Sequence, residues 1–211
     1  MMELCKDVVE WALPLGHEKD LIEFVKNNTP EHMDTFIDIG ANVGTWTLHL
    51  GDKFRQIFAF EPFHEARKVL HENLILNHMA NVEVFSCAIS DYCGDAILQY
   101  YKTGGHSTLL SEHPIRNEVG EYVGNISVST ATINTIFNPY QMKIDMIKID
   151  TEGSEPEIIR GGLGIIRKHN PRLIIEIHDI KHIDIIKNLL PEITFTEYKW
   201  CNQTYLLKLD N

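Results

Sequence analysis

Phe36-Ile37-Asp38-Ile39-Gly40-Ala41-Asn42-Val43-Gly44, running on into Thr45-Trp46-Thr47-Leu48-His49-Leu50, decides how this chain folds. An apolar run ends in a glycine turn, and a helical run follows at once. A strand that turns sharply into a helix while a ligand lies against bare backbone needs residues without Cβ bulk, which Gly40 and Gly44 supply. The bland alternative is an ordinary strand-to-helix turn with Asp38 as a capping acid.

A dinucleotide site would put glycines at the first, third and sixth positions of such a turn, the middle one to admit a pyrophosphate. Gly40, Asn42 and Thr45 stand there instead. Two carboxylates flank the same edge: Asp38 before the turn, and Glu61 in Phe58-Ala59-Phe60-Glu61-Pro62 at the end of the next strand. That pair repels an anionic phosphate but not a cationic cofactor carrying ribose hydroxyls. A carboxylate at the second strand end can accept hydrogen bonds from both hydroxyls of a ribose, each worth roughly 1.5–3 kcal/mol. The residues favour S-adenosylmethionine over NAD.

Outward from the turn the pattern alternates: strand 35–39, helix 44–50, strand 57–60, helix 63–77, strand 82–88. Such alternation implies right-handed βαβ units and a parallel sheet. It breaks over residues 95–135, where 96–101 and 126–131 are strand-like and the segment between is rich in Gly, His, Ser and Pro. This reads as an insertion with hairpin-like strands. Alternation resumes with strand 144–149, helix 155–168, strand 172–177 and a helix near 182–189. The tail, 193–198 and 204–209, reads as two strands whose short connection forces antiparallel pairing. The expected architecture is a class I methyltransferase, Rossmann-like α/β fold: a seven-stranded, mostly parallel sheet with one antiparallel strand and helices on both faces. Two lead-in helices, 3–13 and 18–27, occupy residues 1–30.

With 211 residues, 44% of them hydrophobic, and no long polar tract, residues 1–211 read as a single domain. A net charge of −11 argues against a protein that grips nucleic acid, because that affinity rests on clustered Lys and Arg. A small-molecule or glycan acceptor fits better. Cys5, Cys87, Cys93 and Cys201 show no CxxC spacing, which fits a reducing compartment. The amino terminus lacks a basic region followed by an apolar run, and no stretch approaches the ~20 apolar residues of a membrane span. The expectation is a cytoplasmic protein without a membrane partner, in which Asn27-Asn28-Thr29, Asn125-Ile126-Ser127 and Asn202-Gln203-Thr204 are chance matches to a glycosylation signal.

In an open parallel sheet the ligand lies beyond the carboxyl ends of the strands. Those ends carry Asp38, Glu61, the segment Ala88-Ile89-Ser90-Asp91, Asp150 and Glu176-Ile177-His178. In Met146-Ile147-Lys148-Ile149-Asp150-Thr151-Glu152-Gly153-Ser154-Glu155, Asp150 and Glu152 are two apart, as are Glu176 and His178, so each pair shares a face of extended backbone. If these two strands are neighbours, three carboxylates and an imidazole converge. The competing reading makes Glu152 or Glu155 a helix-capping acid.

The combination of Asp38-Ile39-Gly40-Ala41-Asn42-Val43-Gly44, Phe60-Glu61-Pro62, Asn73 with Asn77, and Ile147-Lys148-Ile149-Asp150-Thr151-Glu152-Gly153-Ser154-Glu155 resembles the FkbM family of S-adenosylmethionine-dependent methyltransferases, over about residues 35–178. The resemblance implies methyl transfer to a hydroxyl oxygen of a sugar, glycan or other small hydroxylated natural product. It carries over Asp38, Gly40, Asn42, Gly44 and Glu61 as cofactor contacts, with Ser90 and Asp91 near the adenine and Asp150 at the same edge. The lead-in helices and residues 102–125 match the family poorly. They could select the acceptor by capping the pocket, or pack against another subunit.

A hydroxyl acceptor must lose a proton, and a positioned base contributes typically ~10²–10⁴-fold. Candidates are His178, His106 in Gly104-Gly105-His106-Ser107-Thr108, and Asp150, Glu152 or Glu176. Mg²⁺ on Asp150 with Glu152 or Glu176 is a further candidate, as a hard cation that lowers the hydroxyl's pKa. His178 and His182 lack a third zinc-type ligand. Asn138-Pro139-Tyr140 looks like the Asn-Pro-Pro-Tyr loop of amino-methylating enzymes, but it precedes the fourth strand rather than following it, and reads as a turn. The competing functions are N-methylation and a cofactor-binding interaction module without turnover.

Overall fold

Apolar strands with few charged residues, and amphipathic runs between them, leave one economical packing: strands side by side with helices against the faces. The computed structural model describes residues 15–101, 108–109, 121–200 and 203–209. Its elements in chain order are α1 (Leu15–Asn27), β1 (Met33–Ile39), α2 (Thr45–Leu50), β2 (Phe54–Phe60), α3 (His64–Leu76), β3 (Val82–Phe85), β4 (Ala88–Ile89), β5 (Gly94–Tyr101), β6 (Thr108–Leu109), β7 (Tyr122–Ala131), α4 (Ile133–Phe137), β8 (Met146–Ile149), α5 (Glu155–His169), β9 (Arg172–Ile177), α6 (Lys181–Leu189), β10 (Thr196–Trp200) and β11 (Gln203–Lys208).

The main sheet has seven strands in the order β10-β11-β9-β8-β1-β2-β3. β11 runs antiparallel to both β9 and β10, while β9, β8, β1, β2 and β3 pair in parallel. Alternation along each strand sorts the core into two layers. Ile37, Ile39, Phe58, Ile147, Ile149 and Ile175 face α4, α5 and α6 through Phe137, Ile158, Ile165 and Ile186. Phe36, Ile57, Met146 and Ile174 face the opposite side, where Leu21, Ile22 and Val25 of α1 and Trp46 and Leu50 of α2 cover them. Ala59, on that same face, packs with Leu70 and Leu74 of α3. This is the expected seven-stranded α/β fold with helices on both faces.

The insertion builds a second sheet, β4-β7-β5-β6, with β5 antiparallel to β7 and β6. Leu98, Leu109 and Val128 rest on Phe63 and Ala66 at the start of α3. The strand expected over 82–88 leaves the main sheet after Phe85, whose carbonyl accepts from Glu61 N–H, and Ala88 and Ile89 pair instead with Thr130 and Ala131 of β7. An apolar run carries no mark of which sheet it joins, so the sequence merges the two. The short helix α4 was not expected; Thr132 caps it by accepting from Thr135 N–H. Asn138-Pro139-Tyr140 does form its end, with Tyr140 edge-on to Phe58. The second lead-in helix begins at Leu15, and the first, 3–13, lies outside the described residues. No helix among the described residues is long and apolar enough to cross a membrane.

Candidate active site

The turn after β1 is built from left-handed backbone: φ is +74° at Gly40, +50° at Asn42 and +94° at Gly44. A Cβ on Gly40 would sit 1.8 Å from the carbonyl oxygen of Asp150, so the loop after β8 lies against bare glycine. A Cβ on Gly44 would meet Leu70 at 2.5 Å; its role is to let α3 close on the turn. Asn73 Nδ2 of α3 donates to the Val43 carbonyl from the same side.

Beneath the turn lies a buried ion network. The parallel register sets Asp38 opposite Lys148. Thr47 Oγ1 donates to Asp38 Oδ2 at 2.7 Å, and Asp38 Oδ1 lies 3.6 Å from Lys148 Nζ. Lys148 Nζ also donates to the Gly40 carbonyl at 3.0 Å and lies 3.1 Å from Asp150 Oδ2. One ammonium thus ties the turn, β1 and the exit of β8 together. Lys148 was missed as a site residue, although it is the one charge inside the otherwise apolar strand 146–149.

Above the turn opens a pocket of about 640 Å³, counted to its open mouth. Phe60, Pro62, Ala88, Ile89, Leu98 and Leu109 give it apolar lining, and the buried Glu61 and the loop Asp150, Thr151, Glu152 and Ser154 give it polar lining. Glu61 accepts from Asn42 N–H at 2.9 Å and Phe63 N–H at 2.8 Å. Burial lifts its carboxyl to about 7, against the pull of those two N–H groups and of Lys148 and Arg67. Asn42 Oδ1 and Thr151 Oγ1, both on lining residues, are buried without a hydrogen-bond partner. Orphaned polar atoms on a pocket wall fit a polar ligand that completes them.

Behind the loop of Asp150 and Glu152, His178 follows β9. Its Nε2 lies 3.5 Å from Glu152 Oε2 and 3.7 Å from both Asp150 Oδ1 and Glu176 Oε1, while Nδ1 is 2.8 Å from Glu155 Oε1. Glu155, fully buried at the start of α5, also accepts from Gly153 N–H and, through Oε2, holds His182 Nδ1 of α6 at 2.7 Å. Burial alone would raise the Glu155 carboxyl, but the two imidazoles and the Gly153 N–H bring it down to about 2. Burial alone would lower His178, but the bond to Glu155 and the charges of Glu152 and Asp150 raise it to about 10. His178 is an imidazolium near neutrality, so it has no lone pair with which to act as a base. Glu152 itself sits at φ +57°, a strained position for a residue with a side chain.

The structure brings together Gly40, Asn42, Glu61, Asp150 and Glu152 around the pocket, with His178 and Glu176 just behind. Glu176 also accepts from Tyr205 OH at 3.1 Å. Four expected cofactor contacts are not among the residues that line the pocket. Asp38 is buried under the turn, held by Thr47 and Lys148. Asp91 pairs with Arg160 of α5 at 2.8 Å, and the Ser90 carbonyl lies where a Cβ on Gly161 would come within 2.2 Å, so both residues pack against α5. Gly44 shapes the turn without lining the cavity. His106 lies outside the described residues. Glu155, read as a cap, instead positions two histidines; the signal was present in Glu155, His178 and His182, but only folding joins them.

Asp150, Glu176 and His178 each offer a ligand atom within 4.8 Å of the others. The donor set does not fit Mg²⁺: a protonated imidazole offers no lone pair, and its charge occupies the place between the carboxylates that a cation would take.

Residues 38–200 match the family described as the Methyltransferase FkbM domain. Over 195 residues the chain is 25% identical to Methyltransferase 1 of Beauveria bassiana (strain ARSEF 2860), covering 84% of this chain and 72% of that protein. Over 165 residues it is 26% identical to Hexuronic acid methyltransferase AglP of Haloferax volcanii, covering 78% of this chain and 64% of that relative, so it spans less than two thirds of AglP. The fold is also shared with SMU.1697c of Streptococcus mutans, solved in complex with SAH, at TM-score 0.51 and 15% identity, covering 91% of this chain and 98% of that one.

Proposed function

The chain belongs to the FkbM methyltransferase family, and from that premise we propose that it is an O-methyltransferase acting on a hydroxyl of a sugar, glycan or other small hydroxylated compound. The observation that carries this reading is the pocket itself, which combines apolar lining with the carboxylates Glu61, Asp150 and Glu152. S-adenosylmethionine, when bound, supplies an electrophilic methyl group on a sulfonium. Phe60, Pro62, Ala88 and Ile89 would hold its adenine, Glu61 its ribose hydroxyls, and the orphaned Asn42 Oδ1 and Thr151 Oγ1 its polar tail. The name of AglP, a hexuronic acid methyltransferase, supports a sugar as acceptor.

Asp150 or Glu152 takes the proton of the acceptor hydroxyl as its oxygen is alkylated, a contribution of typically ~10²–10⁴-fold. His178, fixed by Glu155, lies against both carboxylates and orients them. Alignment of acceptor and methyl in the pocket contributes up to about 7–11 kcal/mol. The second sheet, with Leu98 and Leu109 in the wall, selects the acceptor, and the whole chain works as one domain in a cytoplasmic setting.

Calorimetric titration with S-adenosylhomocysteine, on wild type and Glu61→Ala, tests the cofactor half. Binding by the wild type, lost or weakened at least ~10-fold in the variant, is the expected result. No binding by the wild type would favour an interaction module. Transfer of labelled methyl to a panel of glycans and of amines, on wild type and Asp150→Ala, tests the rest; label on nitrogen alone would replace O- by N-methylation.

A further inference from the structure

All three charged residues that line the pocket are acidic: Glu61, Asp150 and Glu152. Among the described lining residues there is no Lys or Arg. The cations of the site stand behind the wall, Lys148 Nζ at 3.1 Å from Asp150 Oδ2 and His178 Nε2 at 3.5 Å from Glu152 Oε2, outside the lining. Thr151, between the two acids, adds a buried hydroxyl oxygen without a partner on the same wall. The charged groups of the lining are thus all carboxylates, and the cations paired with two of them lie outside it.

We infer that this pocket discriminates the charged cofactor from its neutral product, binding the sulfonium more tightly than the thioether through Asp150 and Glu152. The inference rests on the cofactor reading above. Methyl transfer removes one positive charge: the S–CH₃ bond breaks, its electron pair stays on sulfur, and the acceptor oxygen gains the methyl as its proton passes to a carboxylate. The product then loses the attraction that held the cofactor beside Asp150 and Glu152. The site expels S-adenosylhomocysteine by a change of charge rather than of shape, which makes it resistant to product inhibition.

Glu61 binds hydroxyls that cofactor and product share, so it strengthens both alike. Asp150 and Glu152 see the difference. One unit charge close to two partly screened carboxylates is expected to separate the affinities by about 10- to 100-fold.

The test is calorimetry on the full chain with three probes: S-adenosylmethionine, S-adenosylhomocysteine, and sinefungin, in which a protonated amine replaces the sulfonium methyl. Expected are Kd values for the two cationic probes at least ~10-fold below that of S-adenosylhomocysteine, with the gap narrowing in Glu152→Gln and at high salt. Salt dependence in the wild type keeps the test decisive if the variant fails to fold. Equal affinities for all three would overturn the inference while leaving the cofactor reading intact. A gap that neither salt nor Glu152→Gln changes would overturn the assignment to carboxylates. No binding of any probe would remove the cofactor reading, and this inference with it.

Discussion

Replacing His178 by asparagine should flatten the dependence of stability on pH above neutrality. The imidazole titrates at about 10 in the fold, against 6.5 for the ordinary side chain, because Glu155, Glu152 and Asp150 surround it. A raised pKa means that the fold binds this proton more tightly than the unfolded chain does. Its contribution is fully present below 6.5 and is lost as pH rises through about 10. Glu61, raised to about 7, loses its own contribution between 4.5 and that value, and His182, raised by its bond to Glu155, is present in both proteins, so the difference between them reports His178. Between about pH 7.5 and about pH 9.5 a fully retained proton would cost about 2.7 kcal/mol, at 1.36 kcal/mol per pH unit. Screening through the open pocket reduces this to about 1–2 kcal/mol. Urea unfolding followed by far-UV circular dichroism at the two pH values, on wild type and His178→Asn, measures it. Groups that titrate elsewhere, Cys87 among them, affect both proteins alike. The wild type should lose about 1–2 kcal/mol more than the variant. Parallel losses would refute the idea that the carboxylates hold an imidazolium.

Lys148→Met should cost about 3–5 kcal/mol in urea unfolding, because it leaves the fully buried Asp38 without its cation; a loss below about 1 kcal/mol would refute the pair as a support of the turn. Gly40→Ala should destabilise by about 3 kcal/mol and abolish S-adenosylhomocysteine binding in the same titration, since the new Cβ falls on the Asp150 carbonyl at a positive φ. Retained binding in a folded Gly40→Ala protein would refute the close approach of the two loops. Millimolar Mg²⁺, or its removal by a chelator, should leave the calorimetric Kd for S-adenosylhomocysteine unchanged, because His178 already fills the acidic niche; a metal-dependent Kd would overturn that assignment.

Period and punctuation in the sequence determined the order of elements. Strand-helix alternation needs only local information, since apolar spacing of two or nearly four residues reports which face is buried, and the turns at Gly40 and Gly44 report where the chain reverses. The charged residues at the strand ends, Glu61, Asp150 and His178 among them, followed from the rule that parallel strands present their carboxyl ends to one edge. Partnership was not legible in the same way. Asp38 meets Lys148 because β1 and β8 are neighbours in one register. Glu155 holds His178 and His182 because the start of α5 abuts the end of β9 and the first turn of α6. Ala88 and Ile89 join the second sheet, and Asp91 pairs with Arg160, through contacts with segments 42 and 69 positions away. A sequence pattern states that a side chain must be buried or charged. Which neighbour satisfies it depends on surfaces that exist only after the layers have packed.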